Sequence, residues 1–251
     1  NTTTDGITNA GNFSTDGGTI KLDGDYPTGT ANVALGDTAL DSIQAGGTCN
    51  VAIGHHAGTA ITTGDANTAV GALSLDAVTT ASSNTAIGFA SLSANTSGTD
   101  NVAVGRSALV TNQTGNNNVA VGRSALLVNT GSNNVAVGKD SMLENTSGAS
   151  NTAVGVNSLI CNTTGANNTS IGKDALKCNT EGGQNVAIGK DTLFKNTTAS
   201  NNTALGQNTM FSNTTGASNT AVGRSALFAN TTAANNTAVG TSSLTANTTG
   251  A

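Results

Sequence analysis

The chain has no tryptophan, one tyrosine (Tyr26) and one proline (Pro27), and aromatics make up 2 % of its 251 residues. A globule of that length would normally bury many bulky side chains, so a thick single core is excluded. Charge is scarce too: Asp, Glu, Lys and Arg together reach 9 %, against about 25 % in an ordinary soluble domain. Scarce charge also argues against plain disorder, which pairs low hydropathy with high net charge. The net charge of −5 offers no basic face to nucleic acid or anionic lipid. No run of eighteen apolar residues is present, so no membrane-spanning helix is encoded. Three cysteines (Cys49, Cys161 and Cys178) make no disulfide framework. The chain opens on Asn1 without a charged-then-apolar leader and stops at Ala251 inside a repeat, so it reads as part of a longer protein.

What fills the sequence is a repeat. With the Asn of Asn-x-Ala-aliphatic-Gly as position 0, thirteen copies begin at Asn32, Asn50, Asn67, Asn84, Asn101, Asn118, Asn134, Asn151, Asn168, Asn185, Asn202, Asn219 and Asn236. The spacing is 18, then 17 four times, 16 once, then 17 six times. Position 2 is Ala in twelve copies and Ser170 in the other. Position 3 is always Val, Ile or Leu, and position 4 is always Gly. Position 8 is Leu or Met except at Gly58, and position 11 is Asn from Asn95 onward, usually followed by Thr and then Gly.

The alternation in Asn-Val-Ala-Val-Gly has period two, which is strand periodicity. The recurring Gly and the abundant Thr, Asn and Ser disfavour helix. The sequence therefore predicts one strand-bearing coil per repeat over 32–251, stacked as a parallel β-solenoid about 60 Å long. Stacking explains the repetition, because each coil meets only copies of itself. Position 3 is expected to face inward, so that Val121→Asp would bury a charge. Asn at positions 0 and 11 is expected to form ladders, each amide bonding the copies above and below. Few large apolar side chains are available per coil, and position 1 is Thr in seven copies. Hence several chains are expected to pack together, three in a straight fibre, through the small residues of positions 2 and 4. Residues 1–31 carry alternation at Thr19–Leu22 and turn signals at Asp23 and Pro27, and read as an N-terminal β cap or linking segment.

At "NVAVGRSAL" (Asn101 and Asn118) and "NVAIGKDTL" (Asn185) the chain resembles the head repeats of trimeric autotransporter adhesins. It is also similar to the "NTAVGxxAL…NTTGxxN" arrays of bacteriophage tail fibres and other virion structural proteins. The likeness covers residues 32–251. It implies a left-handed parallel β-roll and a homotrimer on a virion appendage, with other fibre or baseplate components and a host receptor or glycan as partners. The alternative it implies is a bacterial trimeric surface adhesin at the cell surface.

Chemistry is sparse, and the sequence supports no catalytic, cofactor-binding or metal-binding residues. His55 and His56 sit at positions 5 and 6 of one repeat and read as a surface pair on a bend. No zinc-ligand cluster accompanies them, and no P-loop or GxGxxG is present. Position 5 carries Arg106, Arg123, Lys139, Lys173, Lys190 and Arg224, partly neutralised by Asp140, Asp174 and Asp191 at position 6. This reads as a solvated edge. Asn-x-Ser/Thr sequences at Asn95, Asn145, Asn162, Asn196, Asn213, Asn230 and Asn247 read as turns, with surface glycan acceptors as the alternative. A flat array of outward Thr would suit ice binding, but the Thr residues cluster in the turn. Cys161 and Cys178, both at position 10 of consecutive copies, are expected to be stacked, reduced neighbours. The short Asn118–Asn134 spacing is expected to be absorbed in the turn.

Overall fold

In the computed structural model, which describes residues 31–250, thirteen three-residue strands form one parallel sheet in strict sequence order. They run from β1 (Val33–Leu35) to β13 (Thr237–Val239), and each occupies positions 1–3 of its repeat. No helix occurs among the described residues. Pairing is in register throughout, for example Val102↔Val119, Ala103↔Ala120 and Val104↔Val121. At the usual spacing of about 4.8 Å, thirteen strands make a rod about 58 Å long. The expected segment over 1–31 lies, apart from Ala31, outside the described residues.

The short repeat does not disturb the stack. Strand β6 (Val119–Val121) pairs with β7 (Val135–Val137) as Val119↔Val135, Ala120↔Ala136 and Val121↔Val137. The lost residue comes out of the turn: Asn129 bonds the carbonyl of Gly131, two residues on, at 2.9 Å. In the other copies with Asn at position 11 the same bond spans three residues, as from Asn112 to Gly115.

Hydrogen bonding between coils is not confined to the strands. The N–H groups of positions 1, 8 and 10 donate to the following coil, as in Val102 to Asn118 (2.8 Å), Leu109 to Ala125 (3.0 Å) and Thr111 to Leu127 (3.2 Å). Those of positions 4 and 6 donate to the preceding one, as in Gly122 to Val104 (2.8 Å) and Ser124 to Arg106 (3.0 Å). The circumference of the coil is thus a ladder, which satisfies backbone groups that a thin core would otherwise strand.

The interior corrects the expected facing of the strand. Ala at position 2 is the buried residue, fully so in Ala103, Ala120 and Ala136, while position 3 looks outward, with Val121 36 % and Leu35 46 % exposed. The alternation was read correctly and its phase was not. Space explains this. The coil is one side chain thick, and Leu or Met of position 8 enters from the far side, fully buried from Leu92 to Leu227. Only a methyl group fits opposite it, so the larger aliphatic is turned out. Ser170, the one polar residue at position 2, is accommodated because its hydroxyl donates to the Ala175 carbonyl (2.9 Å) and bonds Ser158 (2.8 Å).

Two backbone features hold this section. Gly at position 4 lies at φ near +130°, as in Gly122 (φ +137°), and a Cβ there would sit 2.5 Å from the Gly138 carbonyl oxygen. Both the conformation and the contact require Gly. The position 8 residue is itself left-handed, as in Leu109 (φ 52°) and Met142 (φ 48°). That is costly for a bulky side chain, and it is what aims the side chain into the core. Gly58 escapes the strain but leaves a gap; its missing side chain is replaced by Ile61, whose Cδ1 lies 2.9 Å from where a Gly58 Cβ would stand.

Candidate functional site

Position 11 faces inward as well. From Asn95 to Asn230 these side chains are fully buried. Asn162 Nδ2 donates to Asn145 Oδ1 (2.6 Å) and to the Gly165 carbonyl (2.9 Å), and Asn162 Oδ1 accepts from Asn179 (2.8 Å). Position 0 forms the second ladder: the Asn118 backbone N–H donates to Asn101 Oδ1 (3.0 Å), and its Nδ2 reaches the Gly131 carbonyl (2.9 Å). Both ladders match the expectation. The alternative of surface glycan acceptors is overturned for Asn95, Asn145, Asn162, Asn196, Asn213 and Asn230. Their amide nitrogens point into the coil and are bonded there. The turn reading holds, but its Asn is part of the core.

With the interior closed, anything the protein recognises must be recognised on its outside. The expected packing of a second chain against position 2 is excluded, since that residue lies in the chain's own interior. At the half-buried position 4 glycines the close approach is made by the next coil of the same chain. The outward sheet face carries positions 1 and 3 instead. Position 3 forms an unbroken aliphatic column from Leu35 to Val239, half-buried to exposed. Beside it stands the Val/Thr column of position 1, whose last members Thr203, Thr220 and Thr237 are exposed. The Thr residues are therefore not confined to the turn. In the turn itself, position 12 hydroxyls donate to the next coil's backbone, as in Thr146 to Thr163 (2.9 Å) and Thr163 to Thr180 (3.0 Å).

Position 9 makes a further outward column, which the sequence reading missed. It is Asp41, Thr59, Asp76 and Ser93 in the first four coils, then Val110, Leu127, Leu143, Ile160, Lys177, Phe194, Phe211 and Phe228. The three phenyl rings stack along the rod with centroids 5.0 and 5.3 Å apart and planes within 13°. Lys177 Nζ caps the Phe194 ring at 5.2 Å, and Lys195 lies 5.6 Å from the Phe211 centroid. The signal was present as an apolar residue recurring after position 8, and position 8 masked it.

The charged edge lies where it was expected. Lys139 pairs with Asp140 (3.3 Å) and Lys190 with Asp191 (3.4 Å), and Asp174 takes both Lys173 (3.7 Å) and Lys177 (3.1 Å). Burial works to raise the Asp174 pKa. The hydrogen bonds from Asn157 and Lys177 and the nearby lysine charges outweigh it, so the carboxyl titrates below its ordinary value of 3.8.

His55 stands 3.6 Å from Asp37, and His56 Nδ1 shares a hydrogen bond of 2.8 Å with the Thr38 hydroxyl. Their rings meet edge to face at 4.0 Å. No group of three or more His, Cys, Asp or Glu able to hold a metal occurs among the described residues. Asp76 is the odd carboxylate: its buried Oδ1 has no hydrogen-bond partner, and burial raises its pKa against the opposing pull of a backbone hydrogen bond and, less, of His56.

Cys161 and Cys178 fall in adjacent coils as expected, with their backbone N–H groups bonded in register to Lys177 (3.2 Å) and Phe194 (3.1 Å). All three cysteines are free. Burial raises the pKa of both neighbouring thiols. The Glu144 and Cys178 charges add to the effect at Cys161, while Lys177 and Lys195 oppose it at Cys178. A raised pKa keeps them as thiols and makes them poor nucleophiles. No family model, curated protein or solved structure matches the chain.

Proposed function

We propose that this chain is a non-enzymatic structural protein: a shaft or head segment of a phage tail fibre or related virion appendage, homotrimeric, that supports host attachment. In this reading the coil is left-handed, and recognition of a host receptor or glycan falls to surfaces the rod carries outward. The observation that supports it best is the aliphatic column of position 3 running the length of the rod on its outside. Monomeric proteins seldom leave a continuous apolar strip of such length uncovered. The resemblance of the repeats to fibre arrays points the same way.

Native mass spectrometry of the purified chain should give three times its 24.4 kDa. A stable folded monomer at micromolar concentration would contradict the proposal. Ice binding is a second reading, favoured by the exposed run Thr203, Thr220 and Thr237 on consecutive strands. It needs the same sheet face uncovered. Thermal hysteresis from a monomer would favour it, and a trimer without hysteresis would dismiss it.

A further inference from the structure

The outside of the rod changes along its length in step with the inside. In the first three coils position 11 is aliphatic and buried (Ile43, Ile61 and Val78), and position 9 is polar (Asp41, Thr59 and Asp76). From the fifth coil to the twelfth, position 11 is Asn and position 9 is Val110, Leu127, Leu143, Ile160, Lys177, Phe194, Phe211 and Phe228. Coils four and thirteen carry Asn at position 11 with Ser93 or Thr245 at position 9. Between them, in every coil of the run but that of Lys177, the apolar side chain has moved from the interior to a half-buried place on the outside. In an isolated chain this exchange only loses stability, because apolar burial is given up for buried amides. It is favourable if position 9 is covered by something else.

We infer that the position 9 column of coils five to twelve is a subunit interface, covered by the outward sheet face (positions 1 and 3) of a second copy of this chain. The contact is thus heterologous, and closes a ring when repeated. This rests on the self-assembly proposed above and specifies its geometry.

Two arguments select a second copy as the occupant. The first is period. Both columns repeat once per coil, about every 4.8 Å, so a parallel, in-register copy sets one position 3 side chain opposite each position 9 side chain. A partner lacking that repeat would slip out of phase within a few coils. The second is closure. Repeated round a ring, the contact covers both the position 9 column and the sheet face of every copy over coils five to twelve. Neither apolar column then stays uncovered, which an unrelated partner seated on one column would not achieve. The stacked phenyl rings offer their edges and not their faces, so they fit aliphatic side chains better than the flat face of a sugar.

The test is cross-linking in the full chain with Cys49, Cys161 and Cys178 replaced by Ser. Val137→Cys (position 3) and Leu143→Cys (position 9) are introduced in the same coil, singly and together, and treated with a short bis-maleimide. The double variant should give a band at three chain masses in denaturing gels, while each single variant stays at one. Cross-linking of Val137→Cys alone would place two sheet faces together and overturn the inference, as would a trimer of native mass in which the double variant does not cross-link. In both cases self-assembly itself survives. A monomer by native mass would overturn both. Circular dichroism matching the parent chain shows that each variant is folded.

Discussion

Coils one to three and coils five to twelve share a backbone but fill it differently. In the first group Ile43, Ile61 and Val78 fill position 11, so that side of the section is closed by apolar packing and only the position 0 ladder runs through it. In the second, an Asn ladder occupies that side, and each amide depends on the coils above and below. Aliphatic coils tolerate variation, which is how Gly58 and Ile61 can trade places in the packing. The ladder is all-or-none, since a lost member orphans groups on both sides. The junction is visible at Asn95, whose Nδ2 bonds only the Gly98 carbonyl (2.9 Å) because Val78 lies above it. The first inter-Asn bond beyond it, Asn112 to Asn95, is also long, at 3.5 Å.

The contrast breaks most sharply inside the ladder. Asn162→Leu should orphan Asn145 Oδ1 and one Asn179 N–H; the Gly165 carbonyl still accepts from Asn151. A cost of about 3 kcal/mol should appear in calorimetry as a fall in melting temperature of about 6–12 °C. Val78→Asn, the reverse exchange in a coil whose position 8 is filled by Leu75, should cost less, about 2 kcal/mol, because the Ala81 carbonyl is placed to accept one amide hydrogen as in other coils. If Val78→Asn were the worse of the two, the ladder would not be the more demanding interior.

Smaller effects sharpen the comparison on the outside. Val121→Asp should leave the circular dichroism of the sheet unchanged while lowering the native mass, since position 3 faces out. Loss of the sheet signal would mean that the facing is wrong. Asp174 holds its proton less readily in the folded chain than in the unfolded one. Its contribution to stability is therefore present above pH 3.8 and lost as pH falls through its lower folded value. The melting-temperature gap between the parent and Asp174→Asn should accordingly be open at pH 7 and close in strong acid. Asp76→Ser, which copies Ser93 of the next coil, should raise the melting temperature slightly, by about 2 °C, because it removes a carboxylate oxygen that burial has left unpaired.

Much of this architecture was legible in the sequence. The period gave the coil, the invariant Gly its bend, and the two Asn positions their ladders, since each is a statement about a residue meeting its own copies. The one-residue deletion before Asn134 was also readable, because only the turn could absorb it. The facing of the strand was not. Period-two alternation leaves two phases, and the usual rule puts the larger aliphatic inside. That rule fails where Leu109 or Leu126 already fills a section one side chain thick and only Ala103 or Ala120 fits opposite. The left-handed conformation of position 8 was hidden too, because Leu rarely adopts it. With the phase misread, the outer face went unrecognised, and the column from Val110 to Phe228 was missed.

Segment-resolved hydrogen exchange across a dilution series tests most directly whether the later coils depend on assembly while the earlier ones do not. As the native mass falls to that of a single chain, backbone amides over 101–235 should lose protection, and those over 33–83 should keep it. Uniform loss along the rod, or loss confined to 33–83, would contradict the account.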